Sequence, residues 1–148
     1  MKKLFIAVIM TMLSINVFAQ LQETRPSYQT IYEWGGFGVR HGEIRYDGNI
    51  YYLCGESSNR FESKMHTIVL GTTKETAIVS INQLDSLSDN MGRKDEVKVI
   101  GIGDKQTTLF KEMGTLCFTT QYVAGWTDCL YALKPQKAIK AIEEFVEK

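Results

Sequence analysis

The placement of two helical stripes among groups of short strand signals constrains this 148-residue chain more than any other feature. Ala77, Ile78, Ile81, Leu84, Leu87 and Met91 recur at spacings of three and four, which draws one apolar face along a helix. A second stripe, Ala138, Ile139, Ala141, Ile142, Phe145 and Val146, ends the chain. Over 28–70 and again over 95–133, aromatic and β-branched residues stand between turn signals, the texture of short strands. Strands grouped before each helix argue against a doubly wound parallel sheet. They predict an α+β fold, with an antiparallel β-meander sheet and two amphipathic helices packed on one face. The pattern Ala77-Ile78-x-x-Ile81-x-x-Leu84 matches Ala138-Ile139-x-x-Ile142-x-x-Phe145, which is compatible with two pseudo-repeated meander–helix halves. Any pair of amphipathic helices tends toward the same match.

Local signals place the elements. Thr72 and Glu75 fit a capping box at the start of the first helix, and Gly92 fits the position just past its end. Pro135 suits the first turn of the second helix, where its missing N–H costs nothing. That helix carries lysines early and glutamates late, against its dipole, so burial of Ile142 and Phe145 must hold it. Strands are expected over 28–34, 43–46, 49–56 and 61–70 in the first half. Asp47-Gly48 is expected as a two-residue hairpin turn with φ > 0 at both positions, and 57–60 as a second turn. In the second half, strands are expected over 95–102, 107–111, 115–122 and 128–133.

The N-terminus carries an address. Lys2 and Lys3 precede ten mostly apolar residues, 4–13, and Val17-Phe18-Ala19 offers short side chains where a signal peptidase cuts. The apolar run is too short to span a bilayer core of about 30 Å. Residues 1–19 therefore read as a secretory signal peptide cleaved near Ala19. The chain is expected in the periplasm, at the cell surface or in the medium. Residues 20–27 read as a polar lead and 28–148 as a single α+β domain. Without 1–19 the chain holds fifteen basic and seventeen acidic side chains, a formal net charge of −2. No basic run remains to neutralise phosphates, which disfavours nucleic acid as a partner, and no membrane span is expected after cleavage.

Export bears on Cys54, Cys117 and Cys129, because an oxidising compartment permits one disulfide and leaves an odd thiol. Cys117 and Cys129 flank a predicted hairpin centred near Val123 and form the candidate pair. A one-residue shift of that turn would take them out of register. The alternative is three buried thiols acting as small hydrophobes.

One stretch invites a catalytic or ligand reading: EWGGFGVRHGEIRYDG, residues 33–48, with Gly35, Gly36, Gly38 and Gly42 close together. A dinucleotide loop must open a helix that faces the pyrophosphate, whereas these glycines lead into a hairpin. No P-loop, nucleophile elbow or local zinc-ligand spacing occurs, so no cofactor or metal is expected. His66 lies within a strand signal and reads as a sheet residue. Recognition chemistry remains. Trp34, Phe37 and Trp126 fall at or near predicted loops, beside Arg40 and His41, and such groups suit a flat apolar face of a protein or a sugar. The expectation is a small exported, non-catalytic binding domain with a protein or glycan partner. The alternative is a small secreted or periplasmic hydrolase acting on glycan or peptide, its site assembled across the sheet. Oligomeric state is not encoded in any of these signals.

Overall fold

The computed structural model describes residues 27–36, 39–128 and 133–147. The expected signal segment 1–19, nearly all of the lead 20–27, Phe37 and Cys129 lie outside the described residues. Strands β1 (Gln29–Gly36), β2 (Val39–Tyr46), β3 (Tyr51–Gly55) and β4 (His66–Gly71) form one antiparallel sheet in chain order. Helix α1 (Lys74–Asn90) follows. A second sheet, again in chain order, holds β5 (Val97–Ile100), β6 (Gln106–Glu112), β7 (Thr115–Thr120) and the two-residue β8 (Thr127–Asp128). Helix α2 (Pro135–Glu144) comes last.

The predicted α+β class with antiparallel meanders and two helices is the one found, divided between two sheets. Both sheets and both helices feed one core. Ile44, Leu53 and Ile68 come from the first sheet, Leu109 and Phe118 from the second, Ile81 from α1 and Ile142 from α2. All five residues of β3 are buried, so this strand is covered on both faces. Helix α2 is held as its stripe predicts: Ile142 is fully buried, and the Phe145 ring stands edge-on to Tyr46 and Tyr51.

The two sheets meet along the outer edge of β4. The Thr67 N–H donates to Thr120 Oγ1 at 2.8 Å, the Thr107 hydroxyl donates to the Thr67 carbonyl at 2.7 Å, and the two hydroxyls lie 2.9 Å apart. One donor assignment closes the circuit, with Thr120 donating to Thr107. An edge strand must satisfy its outward N–H and C=O groups or offer them to another chain. Here buried hydroxyls of the second sheet do this at Thr67.

Four local expectations are corrected. The helix cap sits one residue later than predicted: Thr73 is the N-cap, and its reciprocal partner is Thr76, not Glu75. Two adjacent threonines gave the same signal, and the hydroxyl pair at 73 and 76 took the role. At the other end Met91 leaves the helix in an extended conformation (φ −74°), so Gly92 is not needed to stop it. The Asp47-Gly48 turn is wider than two residues, because β2 ends at Tyr46, β3 begins at Tyr51, and these two pair. Only Gly48 has positive φ (97°), while Asp47 Oδ1 accepts from the N–H groups of Asn49 and Ile50 at 2.9 Å and ties the loop. Finally, residues 61–65 are not strand. Asn59 accepts from Phe61 and Glu62, and Glu62 accepts from Lys64, so side-chain and turn bonds take the place of a ladder.

Candidate functional site

The predicted site residues divide between the two faces of the β1–β2 hairpin. Successive side chains of a strand point to opposite faces, so Arg40 and His41, adjacent in β2, point to opposite sides of the hairpin. Arg40, half-buried, lays its guanidinium carbon 4.5 Å from the centre of the Trp126 ring. Trp126 immediately precedes β8 and is fixed by its backbone: its carbonyl accepts from Ser58 N–H at 2.7 Å, and its N–H donates to Ser58 Oγ at 3.1 Å. The Glu62 carboxylate accepts from Ala124 N–H at 2.9 Å, and Ser57 Oγ donates to the Ala124 carbonyl. These bonds hold the 57–62 and 124–126 segments together. Beside them opens a cleft of about 510 Å³ lined by Arg40, Glu56, Ser57, Ser58, Asn59, Arg60 and Glu62.

Trp34, expected at the end of the first strand beside a loop, lies within β1, which runs two residues further, and pairs with Gly42 of β2. The half-buried indole lies over that glycine, close enough that a Cβ there would fall 2.1 Å from the ring. His41 is exposed; its N–H donates to Glu56 Oε2 at 3.1 Å and its carbonyl accepts from Glu56 N–H at 2.8 Å. With Trp34 and Glu33 it lines a smaller recess of about 290 Å³ at the hairpin end. Thus Arg40 and Trp126 come together, Trp34 and His41 border a separate recess, and Phe37 is outside the described residues.

His41 also faces Glu43, with Nε2 3.7 Å from Oε1. Both oxygens of that carboxylate are already engaged, Oε2 by the Thr30 hydroxyl at 2.8 Å and Oε1 by Arg45. Burial pushes the Glu43 carboxyl up, but hydrogen bonds from Arg45 and Thr30 outweigh it and leave the group below its ordinary value. The hydrogen bond to Glu43 correspondingly raises Arg45, whose guanidinium also lies 4.1 Å from the Tyr28 ring centre. Glu43 is therefore an ionised structural partner of Arg45, not a base free to serve His41.

Of the candidate disulfide, Cys117 is buried in β7 and pairs in register with Asp128, while Cys129 lies outside the described residues. Cys54 is buried in β3 as a free thiol, and burial pushes it up to about 12. Among the described residues, no group of three His, Cys, Asp or Glu side chains is arranged to hold a metal ion. No helix among them is long and apolar enough to cross a membrane.

The sequence reading missed Glu56, Ser57, Ser58, Asn59 and Glu62 as parts of the Arg40–Trp126 surface. Residues 57–60 carried only a turn signal, with Glu56 and Glu62 in the strand signals on either side, and nothing there announces a neighbour more than sixty residues away. Comparisons with protein-family models, with curated proteins and with solved structures found no match to this chain.

Proposed function

We propose that this chain is a small exported binding domain, acting in the envelope or outside the cell, whose recognition surface centres on Arg40 and Trp126. The observation that carries the reading is the Arg40 guanidinium held over the Trp126 ring while Arg40 also lines a polar cleft. An Arg–Trp stack of this kind contributes about 0.5–1 kcal/mol where exposed and more once a partner removes water. Because the Trp126 backbone is tied to Ser58 on both its N–H and its carbonyl, little backbone ordering remains to be done there on binding. Trp34 and His41 extend the surface around the hairpin end, with Phe37 between them in sequence. The cleft's hydroxyl, amide, carboxylate and guanidinium groups suit a hydrogen-bonding ligand, a peptide segment or a glycan. Two observations weigh against the hydrolase alternative: Glu43 is committed to Arg45 and Thr30, and Cys54 is held as a neutral thiol.

The test is capture of partners from the native envelope fraction and the medium, followed by glycan-array binding. The chain is used in its own form and as Arg40→Ala and Trp126→Ala variants. The proposal expects a ligand retained by the parent chain and lost at least tenfold by both variants. Equal retention by all three would sink the surface.

A further inference from the structure

A second cleft, of about 390 Å³, lies where the outer face of the first sheet meets the 102–105 turn of the second. It is separate from the Arg40–Trp126 surface and shares no lining residue with that cleft. Its charged lining residues are Arg45, Lys64 and Lys105, and no carboxylate lines it. In a chain with equal numbers of acidic and basic side chains, that is a local excess of one sign. Glu43 answers Arg45. Neither lysine has a carboxylate within ion-pair distance among the described residues, although Lys64 is near enough to Glu62 to help lower its carboxyl.

Arg45 itself is only partly used. Among the described residues, hydrogen bonds engage only Nη2 of its guanidinium, to Glu43 and to the Met65 sulfur at 3.4 Å, and the buried Nε meets no acceptor. Met65, Ile102 and Val123 supply the apolar part of the lining. The combination is a positive mouth, a guanidinium with spare donors and an apolar wall. A bare inorganic anion leaves that wall wet, and a neutral apolar molecule leaves the charges unanswered.

We propose that this cleft binds a small amphiphilic organic anion. Its carboxylate or phosphate head lies between Lys64, Lys105 and Arg45, and its hydrocarbon body lies on Met65, Ile102 and Val123. Lys64 and Lys105 are exposed, so replacing them leaves the core intact. Titration of the isotope-labelled full chain with octanoate, hexyl phosphate, inorganic phosphate and octyltrimethylammonium, followed by amide shifts, tests the site. Saturable shifts centred on 64–67 and 102–105 are expected with octanoate or hexyl phosphate, and the tighter of the two identifies the head group. The Lys64→Ala, Lys105→Ala double variant should weaken that binding at least tenfold while keeping a folded amide spectrum. Raised salt should weaken it too, because the mouth is solvent-exposed. Inorganic phosphate binding as tightly as hexyl phosphate would overturn the amphiphile. Equal binding of the cation, unchanged affinity in the double variant, or no saturable shift with either anion would overturn the site. Arg40→Ala, which removes the other surface, is expected to leave these shifts unchanged, so the two proposals fail independently.

Discussion

The backbone N–H of Thr120, at the end of β7, donates to Nδ1 of His66, at the start of β4, across 3.0 Å. An accepting Nδ1 fixes the imidazole as the neutral tautomer with its proton on Nε2. The ring is fully buried, stands edge-on to Phe118 at 6.3 Å, and finds no partner for Nε2 among the described residues. Burial lowers its pKa below 6.5; the Glu62 carboxylate and the Ala124 carbonyl favour the proton without reversing that direction.

Protonation would remove the lone pair that receives Thr120 and place a charge in the seam between the sheets. Because the folded-state value lies below the ordinary one, the unfolded chain takes up the proton first as pH falls. This contribution to stability is therefore complete above the ordinary value of 6.5 and is lost as pH falls from there through the lowered folded-state value. Urea midpoints compared at about pH 7.5 and pH 5.5 should show the decline. His66→Gln, whose side-chain oxygen can accept from Thr120 without titrating, should flatten it. A decline of the same size in the variant would place its source elsewhere. Glu43, Asp47 and Glu62 all sit below their ordinary carboxyl values, so their losses belong to a more acidic window.

The hydroxyl circuit at Thr67 predicts unequal effects from two similar substitutions. Thr120→Val leaves the Thr67 N–H without its acceptor, a buried unsatisfied donor that costs about 1–3 kcal/mol. Thr107→Val removes the donor to the Thr67 carbonyl, yet it also frees the Thr120 hydroxyl proton, which can turn to that oxygen 3.3 Å away. The smaller loss is therefore expected at 107, of about 0.5–1.5 kcal/mol. Urea denaturation of the two variants checks the order, and a larger loss at 107 would contradict the circuit.

What could be read in advance follows from the range of each interaction. The stripes of α1 and α2 were visible because their periodicity repeats every turn, and Ala77, Ile81, Leu84, Ala138 and Ile142 are buried accordingly. The circuit of Thr67, Thr107 and Thr120 was invisible, since its members stand 40 and 13 residues apart and meet only through sheet topology. Trp34 was read as a loop-bordering aromatic at the end of a strand. Its role was set instead by cross-strand register with Gly42, which no local pattern encodes. The proposed recognition surface was half legible: Arg40 and Trp126 stood out by residue type, but 57–60 looked like an ordinary turn, and Glu56 and Glu62 like strand residues on either side of it. The same holds for the basic cleft, whose three cations come from three separate segments.

Cys54 should be chemically silent in the folded chain. Burial pushes its thiol up to about 12, with Arg45 opposing and Glu43 adding to the shift. At pH 8 only roughly one thiol in ten thousand is then thiolate, the reactive form. Iodoacetamide at that pH, followed by peptide mapping, should label Cys54 only at the rate at which the chain unfolds, and fully in urea. Fast labelling of the native chain would show that β3 opens far more readily than its five buried residues imply.

Trp34 and Gly42 make a closed test of cross-strand packing. A methyl group at Gly42 would lie 2.1 Å from indole Cζ2, a distance that only displacement of the ring can relieve. Overpacking of this kind costs about 1–3 kcal/mol, and the displaced ring enters water. Gly42→Ala should therefore lower the urea midpoint and shift tryptophan emission to the red. In a Trp34→Ala background the same substitution meets no indole. The cost of Gly42→Ala should then largely vanish, which appears as a coupling energy of the same size and opposite sign in the double-mutant cycle. If Gly42→Ala costs as much without Trp34 as with it, the glycine answers to something other than the indole. The close approach would then not be what selects glycine at that position.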